Sequence, residues 1–106
     1  MREKHRHILV EMHPGSKMPP KEFWNMLSRE LLRCIGEISY HRANPKLMRF
    51  EGKDKFVVKT TIQGAPQVVL GLALIKRMGS EEVAFYTLKT SGTIKALLDS
   101  RPKNRA

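Results

Sequence analysis

The chain has 106 residues and carries 20 Lys plus Arg against 10 Asp plus Glu, a formal charge of +10, with a pI near 10.2. That length suits one domain over 1–106, with a core over about 5–98 and a basic tail over 99–106. The single cysteine, Cys34, excludes an internal disulfide and a cysteine-rich zinc site, and the charged start MREKHRHILVEM holds too short an apolar run for a secretory signal or membrane span. A soluble, cytoplasmic protein is expected, and the charge favours a polyanion, nucleic acid before membrane, although simple solubility also makes chains basic.

Residues 7–12, HILVEM, alternate as a strand with Ile8, Val10 and Met12 on one face and Leu9 and Glu11 on the other. His13-Pro14-Gly15 turns the chain, and Pro20 stands where a helix begins without losing a hydrogen bond. Phe23, Leu27, Leu31 and Cys34/Ile35 then recur at helical spacing up to a stop at Gly36. EISYHRANPK reads as a loop, with a strand start at Ile38–Tyr40 as an option.

KLMRFE and KFVVKTTI form a hairpin around Gly52-Lys53-Asp54, with Phe56, Val58, Thr60 and Ile62 inward and Val57, Lys59 and Thr61 on a wet face. A second helix is predicted from Pro66 towards Gly79, with Lys76 and Arg77 near its C-terminal dipole. It is apolar nearly all round, which implies either a covered central helix or a partner contact. EVAFYTLKT is the last strand, and after Ser91-Gly92 a short helix places Ile94, Leu97 and Leu98 on one stripe.

The element order predicts an α+β fold, a ferredoxin-like, RRM-like β-α-β-β-α-β sandwich whose antiparallel sheet has its helices on one face, plus a short C-terminal helix. Such folds host many functions, so the residues must decide. The third strand lacks the paired aromatics that stack bases, since its only aromatic, Phe56, points inward. HPGSK reads more readily as a turn than as an acylphosphatase phosphate loop. His5 and His7 share a strand face without a carboxylate or cysteine cluster, and the acids are scattered, so neither a metal site nor a catalytic residue is expected.

What remains is positive surface and the corner TSGTIK. A strand entering a helix through Ser91-Gly92-Thr93 offers backbone N–H groups and hydroxyls, with Lys95 adding charge, which suits a phosphate. The plainer alternative is that Ser91 simply N-caps the helix, a contribution of about 1 kcal/mol.

TLKTSGTIKAL resembles the terminal signature of the archaeal ribonuclease P protein component 2 family, relatives of a eukaryotic subunit shared by ribonucleases P and MRP. KHRHILVEM, LLRCIGE, PKLMRFE and APQVVLGLALI are similar to the family's successive segments in order, so the likeness runs from about His5 to Leu98. His7 stands where the family tends to have Tyr, and Lys59-Thr60 where it often has Arg-Cys. The resemblance implies a protein subunit of ribonuclease P, the RNA-based endoribonuclease that removes 5′ leaders from precursor tRNA. It implies catalysis by the RNA with Mg2+ and no cofactor on this chain. Its expected partners are ribonuclease P RNA, component 3, other ribonuclease P proteins and, indirectly, precursor tRNA.

On that basis the RNA-binding candidates are Arg2, Lys4, Arg6, Arg49, Lys59, Ser91, Gly92, Thr93, Lys95, Arg101 and Lys103. Val69, Leu72, Leu97 and Leu98 are the candidate partner interface, inferred from apolarity. The alternative is a free-standing RNA-binding or ribosomal protein of ferredoxin-like fold, with an acylphosphatase-like enzyme third.

Overall fold

The computed structural model describes residues 4–98. Its sheet grows from β1 (His5–His13), whose Ile8, Val10 and Met12 are buried on one face while Leu9 and Glu11 alternate to the other. β1 pairs antiparallel with β3 (Lys55–Thr61) on one side and β6 (Ala84–Ser91) on the other. β2 (Lys46–Phe50) adds to β3, giving the order β2-β3-β1-β6. This antiparallel order is that of the split β-α-β arrangement of ferredoxin-like folds.

α1 (Pro20–Ile35) begins on a proline that has no N–H to lose, and Phe23, Leu27 and Leu31, four apart, are its buried stripe. Gly36, at φ 86°, ends it, with the glycine N–H donating to the Leu32 carbonyl at 2.8 Å. The following segment is not a loop or a strand start but a second helix, α2 (Glu37–Ala43). Its polar residues face solvent while Tyr40 and Ala43, three apart, meet the core. The Asn-Pro pair read as loop chemistry terminates this helix, with Asn44 left-handed at φ 46° and its N–H on the Tyr40 carbonyl.

α3 (Ala65–Leu74) starts as expected but stops earlier than the pattern suggests. Ile75 is extended and buried, and Arg77 and Met78 (β4) pair with Glu81 and Glu82 (β5) around Gly79 at φ 64°. The glycine read as a helix stop is therefore a hairpin turn, and Lys76 and Arg77 lie beyond the helix. Arg77 instead faces Glu82 across the hairpin at 3.6 Å.

The main core lies between one sheet face and α1 and α3. Phe23 packs edge-on to Phe56 at 5.1 Å and to Phe50 at 5.2 Å, an arrangement favoured by the ring quadrupole. The opposite face is not uniformly wet. Val57 is fully buried there, opposite Leu9 in register, because α4 (Ile94–Leu98) folds back over β1 and β6. Leu97, at 0% exposure, fills this smaller cluster, so it is internal packing and not the partner contact its apolarity suggested. Leu72, at 1% exposure, belongs to the main core for the same reason, and Val69 packs half-buried against it.

α2 is clamped to β3 by buried hydroxyls. Thr60 Oγ1 donates to the Ala43 carbonyl at 2.9 Å and Thr61 Oγ1 to that of Arg42 at 3.0 Å. Gly64 N–H donates to Thr61 Oγ1, and a Cβ on Gly64 would lie 2.3 Å from Ala43 Cα. Gly64→Ala is expected to force α2 off β3 and cost on the order of 1–3 kcal/mol. Urea denaturation checks this, and a midpoint equal to the parent's would contradict the clamp.

Candidate nucleic-acid interface

Strand register brings two lysines, an imidazole and a hydroxyl that lie far apart in sequence into one row. Lys46 pairs with Lys59, Lys59 with His7, and His7 with Ser91. Since Leu47, Val58 and Ile8 point into the main core, their neighbours in this row point to the opposite face. At about 4.8 Å per strand, the row spans about 14 Å from the β2 edge to the β6 corner. A second row, Arg49, Val57, Leu9 and Lys89, lies one pleat away.

The charge on this face is polarised. At the far end Arg49 Nε is held by Glu51 at 2.6 Å, and Glu11 faces His13 at 3.4 Å. The row ending at Ser91 contains no carboxylate. Of the candidate residues, Lys59, Ser91, Gly92 and Thr93 thus gather at one end, whereas Arg49 is engaged by an acid. Arg6 points to the helical side yet reaches the corner, its Nη1 3.9 Å from where a Gly92 Cβ would lie. Lys95 is exposed on α4, Leu98 at the end of α4 is half-buried, and Lys4 lies at the sheet end beside α2. Arg2, Arg101 and Lys103 lie outside the described residues.

The corner is a cap, but not through the residue expected. Thr93 Oγ1 accepts the Ala96 N–H at 3.1 Å, the bond an N-cap makes to the third helical residue. Ser91 Oγ accepts the Thr93 N–H at a long 3.4 Å and so tightens the turn before the cap. Lys89 Nζ donates to the Ala96 carbonyl at 3.1 Å, fastening α4 to β6. Gly92 is left exposed between Arg6 and Thr93.

Lys46, Lys89 and His7 were missed as members of this face, and only cross-strand register could have found them. His7 lies against the Ser91-Gly92 backbone with Nδ1 buried and making no hydrogen bond of good geometry. Burial pushes its pKa below the ordinary value, helped by the charges of Lys59 and His5, while the Gly92 and Ser91 backbone opposes the shift. Among the described residues, no group of three or more His, Cys, Asp or Glu is placed to hold a metal, and no helix is long and apolar enough to cross a membrane.

The sequence model of the Rpp14/Pop5 family matches residues 6–100. The chain is similar to the ribonuclease P protein component 2 of Thermococcus gammatolerans, being 26% identical over 98 residues, which cover 92% of this chain and 82% of that relative.

The lowered pKa of His7 carries a sign. Below about pH 6.5 the unfolded chain binds a proton that the folded chain resists, so stability is full above that value and falls as pH drops through the window beneath it. Urea midpoints measured from about pH 7.5 to about pH 5 are expected to fall more for the parent than for His7→Gln. Parallel curves would contradict the burial of this imidazole.

Proposed function

The chain belongs to the Rpp14/Pop5 family and is a protein subunit of ribonuclease P, a ribonuclease of tRNA processing; on that footing we propose that it braces the catalytic RNA electrostatically and contributes no catalytic group. The observation that carries this reading is the carboxylate-free row Lys46, Lys59, His7 and Ser91, continued by Arg6 and Gly92. Lysines and arginines placed this way lower the repulsion between RNA phosphates brought close together, and they do so without reading bases. The RNA, with Mg2+ at the scissile phosphate, supplies the chemistry in this reading, and precursor tRNA loses its 5′ leader. The working compartment is the cytoplasm.

Family membership brings RNA and other ribonuclease P components as partners. Component 3 is the protein neighbour we assign, at a surface other than the buried Leu72 and Leu97. On α3 the exposed large apolar side chains are Leu70 at 53% and Leu74 at 52%, whereas Leu72 is spent on the core. These two leucines, one helical turn apart, form the apolar stripe available to a partner.

Lys95→Ala is expected to lower precursor-tRNA cleavage severalfold at limiting Mg2+, with a stability change within about 0.5 kcal/mol because the side chain is exposed. Losses of activity and melting temperature in step would contradict a phosphate contact. The double change Leu70→Lys and Leu74→Lys is expected to leave the chain folded and abolish co-purification with component 3. Leu72→Lys unfolds it instead, by burying an unpaired charge. Retained co-purification by the double variant would place component 3 elsewhere.

A further inference from the structure

The last turn of α2 faces the start of β1 across a cleft of about 570 Å3 lined by Lys4, His41, Arg42, Thr61, Ile62 and Gln63. This lining has two formal cations, an imidazole, a hydroxyl and an amide, and no carboxylate. The ion pairs among the described residues join Glu11 to His13, Glu30 to Arg33, Arg49 to Glu51 and Arg77 to Glu82, and none reaches the cleft.

Basic side chains in a last helical turn ordinarily serve the helix's own carbonyls. Here three of the last four carbonyls are already engaged: Ala43 accepts from Thr60 Oγ1, Arg42 from Thr61 Oγ1, and Tyr40 from the Asn44 N–H. His41 and Arg42 are exposed. The same clamp fixes their backbone against β3, while the Ile62 N–H donates to the Lys4 carbonyl at 3.3 Å and holds Lys4 on the other wall. The cleft is thus built by buried hydrogen bonds, with its charges left over.

Its position connects it to the corner. Lys4 directly precedes β1, and β1 places His7 beside Ser91, so cleft and corner occupy the same end of the sheet. Ile62 lines both the cleft and the neighbouring groove that contains Arg6 and Thr90. Taking the RNA-bracing reading as its basis, we infer that the Lys4/His41/Arg42 cleft binds an RNA sugar-phosphate backbone, continuing the track from Arg6 and Gly92 around the sheet end. The phosphodiester belongs either to ribonuclease P RNA or to precursor tRNA.

The test is the salt dependence of binding by the full chain, measured separately with each RNA. Each lost phosphate contact lowers the slope of log K against log salt by roughly 0.7 to 0.9. Arg42→Gln and Lys4→Gln are each expected to lower it by about that amount for at least one RNA, which identifies the source. Arg29→Gln, an equal charge change on the exposed face of α1, is expected to leave it unchanged. Melting temperatures should match the parent's, since only the Arg42 carbonyl takes part in the clamp; should Arg42→Gln unfold, Lys4→Gln decides alone. Cleft variants with the Arg29→Gln slope for both RNAs would overturn the inference, as would unchanged RNA slopes with loss of a co-purifying protein. A parent slope near zero would overturn the bracing reading itself.

Discussion

β1 is hydrogen-bonded along both edges, and its alternation assigns every side chain on the sheet to a face. Its register with β3 and β6 puts Ile8, Val10 and Met12 under the helices and sends His7 and Leu9 to the other side. A slip of one residue would exchange the two sets, exposing the core and burying an imidazole and a carboxylate. Fully burying each of these apolar side chains contributes roughly 1.5–3 kcal/mol, far more than a surface charge contact, so core packing sets the register. The basic row is a consequence of that register and not an independent feature.

Two covers of unequal extent then distinguish the sheet's two faces. α1 and α3 bury the main core, while five-residue α4 covers only the Leu9 and Val57 region of the other face through Leu97, leaving Leu88 exposed. The lateral row next to α4 remains open at Lys46 and partly open at Lys59 and His7. A surface of this kind suits a partner recognised by charge and shape. Few aromatic side chains face outward on it, Tyr86 being one, in edge contact with His13 at 5.7 Å.

Much of this was legible in the sequence where one local signal had one meaning. Pro20, the Phe23/Leu27/Leu31 spacing and Gly36 define α1 without outside help, and the alternation of residues 7–12 and 56–60 gives the faces of β1 and β3. Errors arose where a signal had two meanings. Asn44-Pro45 marks a loop or a helix end, Gly79 a helix stop or a hairpin turn, and an apolar stripe such as Leu97 an interface or an internal contact. Tertiary packing chose between them, and a single sequence does not contain that information locally. The candidate site was legible at its corner but not across its width. Lys46, Lys59 and His7 are brought into line only by pairing β2, β3 and β1, and the cleft needs α2, whose sequence carries loop chemistry.

The family accounts for the chain's place in a tRNA-processing ribonuclease, and the central physical claim is that it brings charge and no reacting group. Cleavage of precursor tRNA by the reconstituted holoenzyme, with this chain present or omitted over a rising Mg2+ series, tests that claim most directly. An electrostatic brace predicts that omission shifts the Mg2+ requirement upward and that enough Mg2+ restores cleavage at the same site. Cleavage that stays lost without the chain at saturating Mg2+, or that persists with the protein subunits when the RNA is left out, would contradict it.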